Sequence, residues 1–591
     1  MKLQPNNKRN LLQAALGKLP SDLAITNVQY VNVFTGEVYP ATVYVYDGFV
    51  AHVEHFSSEV EAGQAKEVVD GQGKYLIPGF IDAHIHIESS MMTPRRFAEA
   101  VIPRGTTTVI TDPHEIANVH GEDAVVYMHE SSEGLPMRQL IDIPSCVPAV
   151  PGLEQAGAEF FADAIRRLAK LDRVVGLAEV MDFIGVVEGD DRMMDIIQAA
   201  EENGLYIQGH LPSGSPRMVS AYLCGGPKTC HETRGAGLAA LKVRSGMFVD
   251  ARQSSISMDL EEVLGGTRDF PWLDSICLCT DDREADDILH TGHMDYVAKM
   301  AVKHGLSGVQ TVRCATYNTA REAKLQNLGA IAPGYVADML LVDDLTDFRV
   351  ASVYYQGKLV AKDGRLLAEI PEKTYPIETM NSVNVPQMTL EDFRMKAPAG
   401  CGDTVAVNVL SYDAVGSPLT SSVQMTLPVR DGYVDISGEP DLLYALIINR
   451  YGKGNYTFGL ARNFGLPKGA NGSTVSHDSH NLSILFRDAQ SGYRVYEALR
   501  DCGGGMCCVV DGKTTLLPLP VGGLMSTLPC QEVAALGDAM KQALLAAGMP
   551  QENPLLRIVT LALPVIPTAK FSDLGLVDVL AKKLIPIFPE T

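Results

Sequence analysis

Two histidines in the segment PGFIDAHIHIESS are the first residues of this sequence that could bind a metal ion. His84 and His86 stand two positions apart at the end of an apolar run that predicts a β-strand. Side chains at positions i and i+2 of a strand point to the same face, so both imidazoles can reach one cation. A His-x-His pair also occurs without any metal. The prediction therefore depends on further ligands at the ends of other strands.

Such residues follow other apolar runs along the chain. Glu179 ends VVGLAEV, His210 ends LYIQGH, and His231 ends GGPKTCH. Asp281 and Asp282 end SICLCTDD. In a βα barrel the C-terminal strand ends converge on one mouth, so residues far apart in sequence can meet there. Each residue alone could be an ordinary polar group at a strand end, but together they predict a site for a divalent cation such as zinc, iron or manganese.

The carboxylates of this set have different predicted roles. Glu179 can bridge two cations, because each of its two oxygens can bind one of them. Asp281 can bind one cation and also accept the proton of an attacking water molecule. Asp282 points the other way if the strand continues, and we expect it to contact the substrate or to lie outside the ligand set.

A second polar cluster, ITDPHEIANVHG, follows the second predicted strand of the same series. Its position predicts that His114 and Glu115 lie at the same mouth and contact a substrate or a metal, whereas His120 is expected to lie outside the ligand set. Further along, STVSHDSHNL holds His477 and His480 beside a Gly-rich segment. These two histidines are compatible with a loop that closes over the mouth and equally with a polar network inside their own domain.

The elements that must position these residues define the predicted architecture. Short apolar runs alternate with helical segments over residues 76–325, which is typical of a (β/α)8 barrel of the TIM type in an α/β protein; a doubly wound sheet is the alternative. Residues 1–75 and 326–384 show strand and turn patterns on either side of it and are expected to form a small composite β-sandwich. Residues 385–591 are expected to form a C-terminal α+β domain.

Composition limits the classes of function. The formal net charge of −22 and the lack of a basic patch argue against a nucleic-acid partner. No apolar run reaches the roughly 18 to 20 residues that a membrane span needs, and the N-terminal segment lacks the apolar core of a signal peptide. We therefore expect a cytoplasmic protein without a membrane partner, whose eleven cysteines are reduced. A homodimer is expected on general grounds.

A series of motifs resembles one known family. In order, the motifs are PGFIDAHIHIESSMMTP, TTTVITDPHEIANVHG, GLAEVMD, QGH, CHE and LCTDDR, followed in the C-terminal part by NRYGKGNYTFGLARNFGLPKGA, SHDSHN and LPLPVGGLMS. This order resembles the bacterial adenine deaminases of the amidohydrolase superfamily, over most of the chain. Glu179 stands where many members of that superfamily carry a carbamylated lysine, as it does in adenine deaminases.

The resemblance implies a barrel with a composite β-sandwich, a binuclear metal centre, and conversion of adenine to hypoxanthine and ammonia in purine salvage. The implied metals are manganese or iron, with zinc less favoured. The implied ligands are His84, His86, Glu179, His210, His231 and Asp281. The implied catalytic residues are Asp281, Glu179 and His114, and the substrate contacts are His114, Glu115, Asp182 and Asp282.

Three other classes of function match parts of this sequence. A different amidohydrolase could act on a cyclic amide or another amino-purine, and a paralogue could bind metal without catalysis. The zinc deaminases that use a His-x-Glu motif are a third class, and His86-Ile87-Glu88 matches the first half of their signature. That class is excluded, because the Pro-Cys-x-x-Cys half is missing from the sequence.

Overall fold

The computed structural model describes residues 3–59, 63–212, 214–417, 419–550, 554–566 and 568–589. The strands are β1 Ser21–Val31, β2 Val38–Tyr46, β3 Phe49–His55, β4 Ala65–Asp70, β5 Tyr75–Pro78, β6 Phe80–Ile85, β7 Thr106–Thr111, β8 Arg138–Ile143, β9 Val174–Val180, β10 Tyr206–Gly209, β11 Thr229–Cys230, β12 Phe248–Arg252, β13 Ile276–Cys279, β14 Met339–Val342, β15 Val350–Tyr355, β16 Lys358–Lys362, β17 Arg365–Leu366, β18 Thr404–Tyr412, β19 Thr420–Arg430, β20 Tyr433–Val434, β21 Leu442–Ile448, β22 Tyr456–Arg462, β23 Ala470–Ser473, β24 Leu482–Phe486, β25 Gly505–Val510, β26 Lys513–Pro518, β27 Ala569–Ser572, β28 Gly575–Asp578 and β29 Lys583–Ile585.

Most of the helices lie between the strands of the central part of the chain. The α-helices are α1 Lys8–Ala15, α2 Pro94–Val101, α3 His114–His120, α4 Glu122–Ser131, α5 Ala162–Leu168, α6 Phe183–Glu188, α7 Asp191–Glu202, α8 Pro216–Cys224, α9 Ala236–Arg244, α10 Leu260–Thr267, α11 Ala285–His290, α12 Met294–Lys303, α13 Gly308–Cys314, α14 Tyr317–Glu322, α15 Ala489–Cys502 and α16 Cys530–Ala546. Short 3-10 helices cover Ile87–Ser90, Ile102–Arg104, Pro376–Thr379, Leu390–Phe393 and Leu556–Ile558.

The barrel consists of the parallel strands β6 to β13. Strands β10-β9-β8-β7-β6 form one hydrogen-bonded sheet and β11-β12-β13 form another. A backbone hydrogen bond from Lys228 to Ile207 joins β11 to β10, and a parallel bridge between Ile85 and Asp281 joins the end of β13 to β6. The first and last strands therefore meet, which excludes the doubly wound open sheet. Strand β6 is buried along its whole length, as expected for a strand covered on both faces.

The segments before and after the barrel belong to one sheet. Its strand order is β17-β16-β15-β14-β5-β1-β2-β3, and β4 pairs with β1. Strand β14 runs antiparallel to β5, with Met339 opposite Pro78. Alternate side chains of these strands, among them Ile25, Val43 and Leu341, pack into a common core. The two predicted β segments are thus hydrogen-bonded in one continuous path.

The C-terminal part contains a second large sheet with helices on it. Its strand order is β20-β19-β18-β22-β21-β24-β23-β25-β26, and β27 to β29 form a small antiparallel sheet. Helix α15 buries Val495 and Leu499 against the large sheet. Helix α16 lies against the barrel, where Lys541 Nζ is 2.5 Å from Glu284 Oε2 and 2.7 Å from Asp286 Oδ2. The C-terminal part is therefore joined to the barrel by ion pairs between partly or fully buried side chains.

Two sequence expectations concern the chain as a whole. All eleven cysteines are free thiols, as expected. In the part of the chain that the structure describes, no helix has both the length and the apolar character that crossing a bilayer requires.

Candidate metal and active site

The six predicted ligands lie close together, at or near the ends of barrel strands. They form what we call the six-residue cluster: His84, His86, Glu179, His210, His231 and Asp281. His84 and Glu179 each stand one residue before the end of β6 and β9; His86, His210 and His231 directly follow β6, β10 and β11, and Asp281 stands two residues after β13. Because parallel strands of a barrel end at the same mouth, these side chains converge there.

The Nε2 atoms of His84 and His86 lie 3.1 Å apart. Asp281 Oδ1 lies 3.5 Å from Nε2 of His84 and 3.3 Å from Nε2 of His86. The ring of His231 is stacked on that of His84, with centroids 3.9 Å apart. Nitrogen and oxygen atoms at these separations can surround a cation, since each would be about 2.0–2.2 Å from it.

Glu179 faces different imidazoles with its two oxygens. Its Oε1 lies 3.4 Å from His86 Nε2. Its Oε2 lies 2.5 Å from His210 Nδ1 and 3.2 Å from His231 Nε2. Donor atoms of Glu179, His210 and His231 all lie within 4.8 Å of one another, and so do those of His84, His231 and Asp281. This donor set of imidazoles and carboxylates fits divalent cations. The two oxygens of Glu179 face different groups of imidazoles, which fits a bridging carboxylate.

Electrostatics keep both carboxylates of the cluster ionised despite their burial. Burial opposes the ionisation of Glu179, but His210 and His231 bring its pKa well below the ordinary value. Burial likewise opposes the ionisation of Asp281, and Arg252 with His84 and His86 brings its pKa well below the ordinary value. Burial and the neighbouring His84 lower the pKa of His231 to about 4. Ionised carboxylates and a neutral imidazole are the forms that bind metal ions.

The Nδ1 atoms of His84 and His86 both have hydrogen-bond acceptors. Nδ1 of His84 donates to Oε1 of Gln208 at 2.6 Å. Nδ1 of His86 donates to the backbone oxygen of Asp112 at 3.0 Å. Because Nδ1 is engaged in this way, Nε2 is the ring atom that each histidine turns into the cluster, where it would bind a cation. Gln208 is itself held by the hydroxyl of Tyr206, which lies 3.0 Å from its Nε2.

Arg252 fixes the orientation of Asp281. Its Nη1 donates to Asp281 Oδ2 at 2.8 Å and lies 2.6 Å from Glu232 Oε2, while its Nε donates to Asp259 Oδ2 at 2.9 Å. Oδ1 of Asp281 is thereby left to face the imidazoles. The backbone of Asp281 has φ 57°, in the left-handed region, as the chain turns after β13.

The second predicted cluster lies beside the first. His114 Nδ1 is 3.7 Å from Glu179 Oε1 and 3.2 Å from Asp112 Oδ2. The oxygen of Ser89 lies 2.9 Å from Glu115 Oε1 and 2.6 Å from Asp282 Oδ1. Asp282 thus lies next to the six-residue cluster.

Burial and the charge of Asp281 raise the pKa of Asp282 to about 6. Burial and the nearby Glu115 raise the pKa of Glu88 to about 8. Burial and a neighbouring carboxylate thus raise the pKa values of both groups toward the neutral range.

Asp182 and His120 lie apart from these two clusters. The carboxylate of Asp182 accepts a hydrogen bond from Gly185 N at the start of α6 and lies 3.6 Å from Lys582. Its contacts within the described residues include none of the six-residue cluster. His120 lines a separate pocket with Tyr127, and burial lowers its pKa to about 4.

The two histidines of the C-terminal part have different surroundings. Nε2 of His477 lies 3.4 Å from Glu115 Oε1, at the barrel mouth. His480 is buried in its own domain, where its Nδ1 accepts a hydrogen bond from Ser476 N. His477 therefore contacts a residue at the barrel mouth, whereas His480 is hydrogen-bonded within its own segment.

Sequence reasoning missed several residues of the site. Gln208 and Arg252 lie at the ends of β10 and β12, so the rule that singled out the ligands could have included them. Ser89 follows the His-x-His motif by three positions. Asp478 Oδ1 lies 3.5 Å from His114 Nε2, and no sequence signal pointed to that contact.

Comparison with known proteins identifies the family. Residues 75–360 match the model of the amidohydrolase family, and residues 417–583 match the adenine deaminase C-terminal domain. The chain is 38% identical to an adenine deaminase of Moorella thermoacetica, over 98% of each chain. It is 36% identical to one of Kosmotoga olearia, over 98% of each chain, and 38% identical to one of Methanothrix thermoacetophila, over 98% of this chain and 99% of that one.

These matches span nearly the whole chain, including the barrel with its six-residue cluster and the C-terminal part. Amidohydrolases are hydrolases that act with a divalent metal, and the donor set described above fits such an ion. The chain belongs to the adenine deaminase family of the amidohydrolases.

Proposed function

We propose that this protein deaminates adenine hydrolytically to hypoxanthine and ammonia, in purine salvage. The observation that carries the proposal is the six-residue cluster, in which Glu179 turns one oxygen toward His86 and the other toward His210 and His231. Family membership supports the choice of adenine. The relatives that are 36–38% identical to this chain, over almost their full length, are named adenine deaminases.

The proposed ligands are the members of the six-residue cluster, holding two divalent cations of manganese or iron, with zinc less favoured. Glu179 would bridge them. When bound, the cations supply Lewis acidity and lower the pKa of water by several units, which provides a nucleophile near neutral pH.

Asp281 is the proposed base. It would accept a proton from the attacking water and deliver it toward the ring nitrogen or the leaving amine of the purine. Its Oδ2 is occupied by Arg252, so Oδ1 is the oxygen available for this proton. Arg252 keeps that oxygen directed into the cluster, which preserves the geometry of the transfer.

The proposed substrate contacts are His114, Glu115 and Asp282. They lie beside the six-residue cluster, and Ser89 holds Glu115 and Asp282 together. Carboxyl groups there can accept hydrogen bonds from purine N–H groups, or donate when protonated. Asp182 stays a prediction from resemblance, since its contacts are with Gly185 and Lys582.

The organisation around the site is part of the proposal. Residues 1–75 and 326–384 would form one β unit, residues 76–325 the catalytic barrel, and residues 385–591 the C-terminal domain. We propose a cytoplasmic homodimer that takes a small-molecule substrate, without a nucleic-acid or membrane partner. The net charge of −22 supports the exclusion of nucleic acid.

The test combines elemental analysis of the purified protein with an assay of ammonia release. The substrates are adenine, adenosine, cytosine and dihydroorotate, each with protein loaded with manganese or ferrous iron. We expect two metal equivalents per chain and turnover of adenine. Turnover of dihydroorotate or cytosine alone would favour a different amidohydrolase, and metal binding without any turnover would favour an inactive paralogue.

A further inference from the structure

A segment of the C-terminal part, residues 476–481, reaches the mouth of the barrel; we call it the strap. Two consecutive strap residues face two consecutive barrel residues. Asp478 Oδ1 lies 3.5 Å from His114 Nε2, and His477 Nε2 lies 3.4 Å from Glu115 Oε1. The strap thus contacts the two residues at the start of α3 that flank the six-residue cluster.

The strap is held firmly at both ends. Oγ of Ser476 pairs with Oγ of Ser483 at 2.8 Å, and the backbone N–H of His480 donates to the Ser476 oxygen at 2.8 Å. On the barrel side, Nδ2 of Asn481 donates to the backbone oxygen of Gln155 at 2.8 Å. A segment anchored in this way presents its side chains in one orientation, which is what a supporting residue of an active site needs.

Two further contacts fix the middle of the strap. The hydroxyl of Tyr451 donates to the backbone oxygen of Ser479 at 2.5 Å, and the N–H of His477 donates to the oxygen of Val559 at 2.9 Å. Asp478, between them, is 1% exposed. Its backbone is therefore held on both sides.

Asp478 lacks the partners that a structural carboxylate normally has. Within the described residues its ion-pair contacts are with imidazoles only, His114 at 3.5 Å and His477 at 4.0 Å. Its buried Oδ2 has no hydrogen-bond partner there. A buried carboxylate without good partners lowers the stability of the fold, so its presence beside His114 points to a role in the site.

We propose that the C-terminal domain completes the active site: Asp478 positions the imidazole of His114, and His477 positions the carboxylate of Glu115. His114 has carboxylates at both ring nitrogens, Asp112 at Nδ1 and Asp478 at Nε2. The ring is therefore fixed from the barrel side and from the strap side. The inference rests on the proposed function, in which His114 and Glu115 contact adenine.

A double-mutant cycle tests the first pair. We expect Asp478→Asn to lower kcat on adenine about 10- to 100-fold with unchanged metal content, the range usual for supporting residues of metal sites. In a His114→Gln background, the same change should alter kcat by less than about 2-fold, because its effect acts through His114. Multiplicative effects of the two changes, or a wild-type kcat for Asp478→Asn, would overturn the inference.

A second cycle keeps the inference testable if Asp478→Asn does not fold. It combines His477→Gln with Glu115→Gln, and the same non-additivity is expected. The matched control is Asp488→Asn, which removes a carboxylate that caps α15 in the same domain. Its kcat should equal that of the wild type, because Asn caps helices as well as Asp. An equal loss in the control would overturn the inference.

These outcomes are separable from a failure of the proposed function. A metal-loaded wild type that does not turn over adenine would overturn the proposed function and this inference with it. If the wild type is active and the effects of the two changes on kcat multiply in both cycles, this inference alone is overturned.

Discussion

Arg252 donates a hydrogen bond from Nη1 to Oδ2 of Asp281 at 2.8 Å, across two neighbouring strands of the barrel. The two oxygens of the Asp281 carboxylate therefore have different partners. The guanidinium of Arg252 binds one oxygen, and the other faces His84 and His86. The proposed base is therefore oriented before any substrate binds.

Arg252→Lys should lower kcat about 10- to 100-fold even though the positive charge is kept. Lysine cannot contact Asp281, Asp259 and Glu232 at once, because it lacks the planar guanidinium. Steady-state kinetics on adenine and metal analysis measure the effect. Arg217→Lys, at an exposed position, is the control and should match the wild type. A fully active Arg252→Lys enzyme would show that the orientation of Asp281 does not limit turnover.

Glu179→Gln should reduce metal content and kcat together, the latter by about 100-fold or more. An amide has one oxygen where the carboxylate has two, so glutamine cannot bind both cations through oxygen. Atomic absorption and the ammonia assay on the same sample measure both. Undiminished turnover in this variant would show that the bridge has been assigned to the wrong residue.

Gln208→Leu should weaken metal binding about 10- to 100-fold. The change removes the acceptor for Nδ1 of His84, so the ring can rotate or carry its proton on Nε2. Metal affinity is measured by competition with a chelator. Gln198→Leu, in helix α7 and away from the barrel mouth, is the control; equal losses in the two variants would contradict a role for the tautomer of His84.

Lys242→Met should destabilise the fold by about 1–3 kcal/mol for each acceptor left unsatisfied. The fully buried Nζ of Lys242 donates to the backbone oxygens of Leu211 and Glu232 at 2.6 and 2.9 Å. These residues directly follow His210 and His231, so metal affinity should fall as well. Thermal unfolding with and without metal measures both effects, and an unchanged midpoint would be inconsistent with the prediction.

Lys570 should give stability a pH dependence that Lys570→Met removes. Burial, with the neighbouring Arg557, lowers the pKa of Lys570 to about 7, against about 10.4 for lysine in an unfolded chain. Between these two values the unfolded chain binds more protons than the folded protein, so folding stability rises as pH rises from about 7 to about 10.

Unfolding midpoints measured across that range test this prediction. The variant should have a flatter profile and higher stability at neutral pH, because methionine occupies a buried position without a charge. Lys583→Met, at an exposed position, is the control and should keep the wild-type profile. Identical profiles for wild type and Lys570→Met would exclude the effect.

The sequence by itself predicted the barrel strands and the residues that gather in the six-residue cluster. Strand alternation places His84 and His86 on one face, and the rule that barrel strand ends converge places Glu179, His210 and Asp281 with them. The convergence of these side chains could be predicted because it depends on local periodicity and on one property of parallel barrels.

Tertiary structure alone decided which groups hold and complete these side chains. Barrel closure, through the bridge of Ile85 with Asp281, sets the distances within the six-residue cluster. The contact of Asp478 with His114 joins residues 364 positions apart, and no local pattern encodes such a pair. The physical reason is that a hydrogen bond or ion pair between distant segments depends on how whole domains pack, whereas strand and helix patterns depend only on near neighbours in sequence.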